Sequence, residues 1–366
     1  MSGTVTSARV LLRSQALRWG PVSVILRPWA LLVGALAVVS VLVAVLAHLM
    51  FAGRPLPLSD VIHGLTASVG TPSRLTLQVR EFRLPRTIAG AVAGACLAVS
   101  GALTQNVARN PLATPEILGV TSGASLGAVS VLVLAGGGAG GLSGAAAAAG
   151  LPLAAGLGAL LFGGGVFLLA MRRGNELLDS NRLVLVGLGA TAVSTSLVTW
   201  LLTLGDVTNA GQALTWMSGS LNGKDWETVA PLAAIAVPLL LCTACVSRWL
   251  LLGSFDDNTA RSLGLALRRT RPLLILLAVL LAAVGTVLAG PVAFVALVCP
   301  LAARQVTRSV LPPLGVTALL GAAFVVVADL IAGFLLPHAL PVGVLTTVLG
   351  APVLIALVLR SQRRTS

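Results

Sequence analysis

Residues 83–127 read RLPRTIAGAVAGACLAVSGALTQNVARNPLATPEILGVTSGASLG, and this stretch decides the fold. Two apolar segments, each long enough for a helix, flank a polar elbow that runs from Gln105 through Asn110-Pro111-Leu112. Arg83 and Arg86 stand at the entry to the first segment. The rest of the chain makes most sense as a scaffold and partner surface around this unit.

Glycines in both apolar segments recur with a spacing of four residues. They lie at Gly90 and Gly94 in the first segment, and at Gly119, Gly123 and Gly127 in the second. Residues four apart share one face of a helix, and glycine on that face lets two helix backbones approach closely. The pattern therefore predicts a tightly packed bundle and carries no information about a ligand.

The composition places the chain in a membrane. Its 366 residues are 57% hydrophobic and only 10% charged, with a mean hydropathy of +0.99. A soluble domain of this size needs a far more polar surface, so that class is excluded. Continuous apolar runs of about 20 residues match the thickness of a bilayer, and they do not alternate as the strands of a β-barrel do. We therefore predict an all-α, polytopic membrane protein.

Ten membrane spans are predicted, and both termini are expected in the cytoplasm. Residues 1–29 form a cytoplasmic segment, 30–360 the ten-helix domain and 361–366 a cytoplasmic tail. Trp29 to Met50 is interpreted as a retained first helix, since a signal peptide would have a shorter apolar core. The spans lie approximately at 29–50, 84–105, 115–135, 148–170, 183–204, 229–252, 272–289, 291–308, 314–336 and 341–360.

The basic side chains support this topology. Of the 24 Lys and Arg residues, 18 fall in segments expected inside and 6 in segments expected outside, as the positive-inside rule requires. Five of the six outer ones are arginines of a single segment, 51–86. A basic patch on the outer side opposes the rule, and we interpret it as a functional surface.

The cysteines and histidines do not predict a metal or redox centre. All four cysteines lie in apolar runs, and Cys242-x-x-Cys245 has no second ligand pair and no nearby histidine. We interpret these cysteines as packing residues. The three histidines show no ligand spacing, so no metal site is expected.

A nucleotide site is also not expected on this chain. Asn222-Gly223-Lys224-Asp225 superficially resembles a phosphate-binding loop. Ser218 stands where that loop needs its first glycine, and Asp225 replaces the Ser or Thr that would hold magnesium. Any ATP hydrolysis must therefore come from another chain.

Gly290-Pro291 separates two apolar runs with no polar loop between them, and Pro300 lies within the second run. Broken backbone at membrane depth is tolerated inside protein or beside a cavity, so these residues are assigned a structural role. Arg83-x-x-Arg86 and Arg268-x-x-Arg271 each open a span, one from each side of the membrane. Such an arrangement is what an inverted repeat requires.

Asp329 is the only acid well inside a predicted span. A lone acid at the centre of a span costs roughly 2.5–3.5 kcal/mol on insertion, so it is expected to face the interior of the bundle. Proton transport and a structural hydrogen bond are both open to such a residue. We favour the structural role, because we expect no second intramembrane acid or histidine that could relay a proton.

Residues 253–271 read GSFDDNTARSLGLALRRTR and form the longest polar segment expected in the cytoplasm. Asp256-Asp257 is typical of a helix start, and Gly264 of a helix end. A second short helix carrying Arg268, Arg269 and Arg271 is expected to follow. A compact helix-Gly-helix unit favours a docking surface over a solvated loop.

Residues 83–128, together with four later motifs, resemble the permease subunits of the iron-siderophore and cobalamin ABC importers. The later motifs are TARSLGLALRR at 259–269, GPVAFVALVCPLAAR at 290–304, ADLIAG at 328–333 and LPVGVLTTVLGAP at 340–352. They cover nearly the whole chain after residue 80. The resemblance implies a ten-helix, type II ABC importer permease fold with an inverted repeat, in the cytoplasmic membrane of a bacterium.

The resemblance also implies roles for individual residues. Arg83 and Arg86 match arginines that meet acidic residues of an external binding protein. The family's cytoplasmic gate corresponds to Asn110, Leu112, Ser180 and Asn181. The surface that couples to the ATPase corresponds to Asp257, Ala260, Arg261, Leu263, Gly264 and Leu265.

The partners implied are two copies of an ATP-binding subunit, a second permease subunit, identical or related, and an extracytoplasmic siderophore-binding protein. The chain itself is expected to be no enzyme and to bind no cofactor, because ATP and magnesium belong to the partner ATPase. The pathway is expected to be lined by small and apolar side chains, without a charge code for the cargo. A ferric siderophore is the expected cargo, since the elbow and TPEILGVTSGAS look most like siderophore permeases.

Two positions depart from the family pattern. Leu301 follows Pro300 where the family usually has histidine, and Gly333 stands where it often has arginine. A third docking arginine is therefore absent or supplied by Arg54, Arg74 or Arg80.

Other functions stay open at this point. A cobalamin or haem importer permease fits the same motifs. A proton-coupled carrier would need Asp329 to titrate, and an intramembrane enzyme would need a nucleophile–base pair or metal motif that the sequence lacks.

Overall fold

The structure is a computed structural model that describes residues 15–19, 22–26, 28–66, 73–134, 145–171, 180–336 and 339–362. Almost all of these residues are helical. The α-helices are α1 Pro28–Phe51, α2 Leu58–Thr66, α3 Arg74–Leu77, α4 Leu84–Ala108, α5 Val120–Leu134, α6 Ala145–Ala170, α7 Ser180–Leu204, α8 Val207–Met217, α9 Trp226–Cys245, α10 Ser247–Gly253, α11 Asp257–Ser262, α12 Leu267–Ala289, α13 Val295–Thr307, α14 Leu314–Leu330 and α15 Val342–Gln362.

Three other helical segments and one hairpin complete the described chain. A π-helix at Gln78–Arg83 joins α3 to α4, a second at Ile331–Leu335 follows α14, and a 3₁₀ helix lies at Pro115–Leu118. Near the N-terminus, β1 Gln15–Trp19 pairs antiparallel with β2 Val22–Leu26. The sequence did not predict this hairpin.

The predicted spans agree with the helices of the structure. Seven described helical stretches are long and apolar enough to cross a membrane, and α5, α13 and the first part of α15 are shorter apolar helices. The all-α membrane fold is confirmed, whereas the exact number of crossings stays a prediction. Sequence analysis missed α2 and α8, because both are short and lie between the long apolar runs.

Helices α4 and α12 form the centre of the bundle. Of the most apolar window in each, 78% is buried, against 17% in α1 and α9 and 22% in α7. Helix α4 packs against α9, α12, α13 and α14, while α1 presents leucines such as Leu31 and Leu42 to the outside. Apolar side chains on the outside and small ones within are what a lipid solvent selects.

Close packing around α4 depends on glycine. A β-carbon at Gly94 would overlap the Gly321 carbonyl of α14, and one at Gly101 would overlap the Ala296 carbonyl of α13. Two backbones in such contact gain dispersion energy that any side chain would prevent. The prediction that the α4 glycines let another helix approach closely is therefore confirmed at Gly94.

The ladder predicted for α5 divides into two kinds of glycine. Gly123 and Gly127 lie against the backbone of α6, at Gly158 and Ala154, as the spacing predicts. Gly119 precedes the helix with φ +73°, in the left-handed region, and a β-carbon there would make only ordinary contacts. Its role is therefore a turn between the 3₁₀ helix and α5.

Two expectations about helix boundaries are settled by the structure. Helix α12 ends at Ala289 with Gly290 at φ 73° and ψ −170°, a conformation almost restricted to glycine, so the predicted break is confirmed. The prediction of a separate second short helix that carries Arg268, Arg269 and Arg271 is wrong. These residues occupy the first turns of α12, because Leu267 is buried and nothing terminates the helix before the apolar run.

Replacing Gly94 tests the close approach of α4 and α14. We expect Gly94→Leu to destabilise the protein by about 1–3 kcal/mol, because the Gly321 backbone cannot move aside. Thermal unfolding of the detergent-purified protein measures the effect. Gly34→Leu is the matched control, since nothing lies within 4 Å of a β-carbon at Gly34 in α1. Equal melting temperatures for both variants would contradict the packing argument.

Candidate functional site

A cavity lies between α5, α7, α15 and the irregular segment that follows Gly290. Its volume is about 630 Å³, large enough for a bulky small molecule. Pro291 and Val292 line it, so the broken backbone lies beside a cavity, as its position at membrane depth requires. Glu116 of the 3₁₀ helix also lines it.

Hydroxyl groups dominate the polar lining of this cavity. They belong to Thr121, Ser122, Ser125, Thr191, Ser194, Thr195, Ser218 and Thr347. The other lining residues are mostly small or apolar, so the expectation of small and apolar side chains without a charge code stays a prediction for the pathway. Six of the eight hydroxyls donate to backbone carbonyls, so they offer a ligand mainly their oxygen atoms as acceptors and carry no net charge.

Among the described residues that line the cavity, Glu116 is the only carboxylate, and none is a lysine or an arginine. Glu116 is half-buried. Sequence analysis missed Glu116, although an acid in the connection after the elbow was a visible signal.

The entry to α4 is held by a buried ion pair with α14. Arg86 donates two hydrogen bonds to Asp329, from Nε to Oδ2 at 2.7 Å and from Nη2 to Oδ1 at 2.8 Å. Asp329 is 2% exposed, and the Arg86 guanidinium lies 4.7 Å from the centre of the Phe334 ring. The bidentate geometry is the strongest that a carboxylate and an arginine can form.

His48 of α1 completes this cluster. Its Nε2 lies 2.9 Å from Asp329 Oδ2, and its Nδ1 lies 2.8 Å from the Thr87 hydroxyl. The premise that no second intramembrane histidine or acid stands near Asp329 is therefore wrong. His48 was missed because it lies 281 positions away in the sequence, at the end of an apolar helix. The cluster ties α1, α4 and α14 together.

Arg83 fixes the end of α1 against the start of α4. Its guanidinium donates to the carbonyl oxygens of Leu49 at 2.6 Å, Met50 at 3.0 Å and Arg54 at 2.5 Å. The residue is 3% exposed. Two of these carbonyls belong to the last turn of α1, where the helix dipole favours a cation, and the third belongs to the turn that follows the helix.

The structure gives Arg83 and Arg86 partners within the chain; Arg83 is buried, whereas 17% of the Arg86 side chain is exposed. Arg54 and Arg74 are the exposed arginines at this end of the bundle. A β-carbon at Gly333 would lie 3.1 Å from Arg86 Nη2, so the Arg86 side chain occupies the space beside that position. Direct docking through Arg83 and Arg86 stays a prediction.

The elbow lies at the opposite end of α4. Arg109 ends the helix at φ 49° and ψ 30°, and the Asn110 side chain accepts a hydrogen bond of 2.9 Å from the backbone N–H of Leu112. This local turn fixes the elbow and leaves Leu112 49% exposed. Asn110 and Leu112 are therefore neighbours on the surface, as a shared role requires.

Ser180 and Asn181 begin α7, and their side chains lie outside the described residues. Helix α7 packs on the 3₁₀ helix that follows the elbow, where a β-carbon at Gly187 would overlap the Ile117 carbonyl. The backbone therefore brings α7 and the elbow segment together. The gate role of all four residues stays a prediction.

Asp257 joins three elements beside the elbow. Its Oδ1 accepts from Arg109 Nη2 at 2.6 Å and from Arg271 Nη2 at 2.5 Å. Partial burial raises the pKa of the Asp257 carboxyl, but the hydrogen bonds and charges of Arg271 and Arg109 outweigh this effect and hold the pKa below its usual value. The end of α4, the start of α11 and the first turn of α12 thus meet at one carboxylate.

Helix α11 divides the predicted coupling residues between two faces. Ala260 and Leu265 are buried, and they pack with Leu252 and Leu267 in a small apolar cluster. The other face is open, and it exposes Arg261, Leu263 and Gly264. Gly264 has φ +84°, so it ends the helix as predicted. One face of this short helix is therefore packed against the protein, and the opposite face is accessible to a partner.

Within the described part of the chain, no group of three or more His, Cys, Asp or Glu side chains has the arrangement of a metal site. All four cysteines are free, two of them buried and two exposed on α9. The chain was expected to hold no metal, and that stays an expectation.

Comparisons with known proteins place the chain among transport proteins. A model of the FecCD transport family matches residues 28–360. The ferric enterobactin transport permease FepG of Escherichia coli is 38% identical over 294 residues, which cover 80% of this chain and 86% of FepG. The achromobactin transport permease CbrC of Dickeya dadantii is 34% identical over 330 residues, which cover 90% and 91%.

A third relative transports a different cargo. The vitamin B12 import permease BtuC of Salmonella typhi is 36% identical over 296 residues, which cover 80% of this chain and 86% of BtuC. Among solved structures, a metal-chelate type ABC transporter in an inward-facing conformation matches with a TM-score of 0.72 and 24% identity. The match covers 90% of this chain and 99% of that one, and it supports the fold.

Replacing Asp329 tests the buried cluster. We expect Asp329→Asn to destabilise the protein by on the order of 3 kcal/mol, because Arg86 would keep a buried charge without its partner. Thermal unfolding in detergent measures the loss, and Asp206→Asn is the control, since Asp206 is exposed and its side chain caps nothing.

The coupling itself is measured with Arg86→Gln as the second substitution. In the double variant the further loss caused by Asp329→Asn is expected to shrink, because no unpaired charge remains. An equal loss in both backgrounds would contradict the pairing.

Proposed function

Because the chain belongs to the FecCD transport family of importer permeases, we propose that it carries a ferric-siderophore complex across the cytoplasmic membrane of a bacterium. The observation that carries this proposal is the cavity of about 630 Å³ lined by hydroxyls and by broken backbone. A bulky chelate with both polar and apolar groups on its surface fits a cavity of this size, whose uncharged hydroxyls can contact it directly or through water. The two siderophore permeases among the relatives favour the same cargo.

The α11 end of the bundle is proposed to face the cytoplasm and to receive an ATP-binding subunit. Its exposed face, with Arg261 and Leu263, offers a cation and an apolar side chain on a helix anchored from below. The complete transporter is proposed to contain two permease subunits, identical or related. Each of them binds one ATP-binding subunit, which gives two copies of that subunit. ATP and magnesium are held by those subunits, and this chain supplies no catalytic residue for hydrolysis.

The opposite end is proposed to receive an external binding protein that delivers the chelate. Arg54 and Arg74 are exposed there and offer cations to an acidic partner. The Arg86 guanidinium is partly accessible, with 17% of its side chain exposed, and it could meet an acidic residue while it keeps Asp329. Arg83 is proposed to act indirectly, by holding the end of α1 in place.

Transport follows from alternate opening at the two ends of the cavity. Asn110 and Leu112 on the elbow and Ser180 and Asn181 at the start of α7 are proposed to close the cytoplasmic exit. ATP binding and hydrolysis in the partner would move α11 and thereby bias the elbow between two positions. Both chain termini are proposed to lie in the cytoplasm.

Uptake of labelled chelates tests the cargo. In a strain that lacks this gene, the plasmid-borne gene is expected to restore uptake of a ferric siderophore labelled with radioactive iron. Labelled cobalamin and haem are supplied in parallel, because the vitamin B12 permease among the relatives makes cobalamin the second candidate. Restoration of cobalamin uptake alone would replace the proposed cargo.

The energy source is tested in the same system after reconstitution. With the ATPase and binding protein in proteoliposomes, uptake is expected to require ATP on the ATPase side and to persist with a protonophore. Uptake that needs a proton gradient and no ATP would favour a carrier that uses the His48–Asp329 pair.

A double substitution tests the coupling surface. We expect Arg261→Glu with Gly264→Trp to abolish uptake, because it reverses a charge and adds bulk on the exposed face of α11. Binding-protein docking at the other end is expected to remain, measured by co-purification. Arg248→Glu, which reverses an exposed arginine of α10 at the same end, is the control. Normal uptake by the double variant would contradict the assignment.

A further inference from the structure

We propose that Arg109 is a positioning residue that transmits movement of α11 to the gate at the elbow, through Asp257. This inference rests on the proposed function, in which α11 receives the ATPase and the elbow closes the exit. It concerns residues of this chain that link the two surfaces, and it stands on the contacts between them.

The first step is the reach of the Arg109 side chain. From the end of α4, its Nη2 atom donates to the Phe255 carbonyl at 2.5 Å and to Asp257 Oδ1 at 2.6 Å, and it lies 3.4 Å from the Gly253 carbonyl. Three acceptors within five residues of one segment hold a single guanidinium. The segment that leads into α11 is therefore attached to the residue immediately before Asn110.

The second step is that Asp257 is free for this contact. The neighbouring Asp256 caps α11, since its Oδ2 accepts from the backbone N–H of Thr259 at 3.0 Å. Local helix formation therefore does not need the Asp257 carboxylate. That carboxylate instead receives Arg109 from one side and Arg271 from the other.

The third step is the backbone of Arg109. With φ at 49° it lies in the left-handed region, where glycine and asparagine are favoured and other residues are strained. An arginine at this position is unfavourable for the turn itself. The turn alone would favour glycine or asparagine. The side-chain contacts to residues 253–257 explain why an arginine is present instead.

A second link runs in parallel. Asn106, in the last turn of α4, donates from Nδ2 to the Leu250 carbonyl at 3.0 Å. Together with Arg109 it attaches the last turn of α4 to α10 and to the start of α11. Movement of α11 is thus directed to the elbow, where Asn110 and Leu112 are exposed.

The partial exposure of this link suits a contact that changes during transport. The Arg109 side chain is 38% exposed and that of Asp257 is 22% exposed, so water can replace either partner when the contact opens. A fully buried pair would leave an unpaired charge at that moment.

The experiment compares substitutions of the two neighbouring acids, Asp256 and Asp257, with a substitution of Arg109. Asp257→Asn and Arg109→Asn remove the link, whereas Asp256→Asn makes the same chemical change and keeps a good helix cap. Asparagine at position 109 accepts the left-handed backbone, so folding of that variant is not put at risk. The permease is purified with its ATPase and reconstituted, and ATP hydrolysis and uptake are measured on the same vesicles.

We expect Arg109→Asn to assemble with the ATPase and to hydrolyse ATP near the wild-type rate. Asp257 also belongs to the proposed ATPase-coupling surface, so for Asp257→Asn only the uptake per ATP hydrolysed is compared. Uptake per ATP is expected to fall about tenfold in both variants, the size of a typical coupling between two sites. Asp256→Asn should match the wild type. Wild-type uptake per ATP in Arg109→Asn would overturn the proposal, and so would a parallel loss of hydrolysis and uptake in Arg109→Asn, which would place Arg109 in ATPase assembly.

A second measurement does not depend on the cargo. In a chain whose cysteines are replaced, Leu112→Cys reports the elbow through its rate of labelling by a thiol reagent. The rate is expected to change when ATP is added to the otherwise wild-type complex, and to stay constant in the Arg109→Asn background. An equal change in both backgrounds would overturn the link. If ferric siderophore is not transported but this difference is seen, the cargo proposal fails and the link stands.

Discussion

Contact between helix backbones around α4 is the constraint on which the rest of the structure depends. Lipid provides little hydrophobic force between helices, so a membrane bundle gains stability from close packing. Gly94 and Gly101 let α14 and α13 approach α4 until the backbones touch. Helix α4 is thereby enclosed along most of its length, and its two ends are held at fixed positions relative to the neighbouring helices.

The two ends of α4 carry charge clusters that differ in their surroundings. At the α2 end, Arg86 and Asp329 form a buried bidentate pair, supported by His48. Opening such a pair leaves a charge in a medium of low dielectric constant, so this end resists change. At the α11 end, Arg109 and Asp257 are partly exposed, and water can take the place of either partner. One end therefore suits an anchor and the other a contact that can be remade.

The cavity lies beside this central helix. Its lining residues come from α5, α7, α8, α15, the segment 291–293 and Glu116, and none of them belongs to α4. The elements that border the cavity are also less enclosed, with α7 only 22% buried in its most apolar window. These less enclosed helices are the ones that can move around the fixed centre.

The sequence by itself determined the membrane class, the positions of the apolar helices, the break at Gly290 and the turn at the elbow. These features depend on local hydropathy and on the backbone preferences of glycine, proline and asparagine, which are properties of short stretches. Only the tertiary structure decided which polar groups meet, such as His48 with Asp329 and Arg109 with Asp257, because partners 281 and 148 positions apart are chosen by the faces that packed helices turn to each other. The tertiary structure also shows that Arg83, which was expected at the surface, is buried and donates to carbonyls at the end of α1. It shows further that hydroxyl groups line the cavity. In an apolar helix the hydropathy pattern is nearly the same all round, so the sequence alone carries little information about which face is inside.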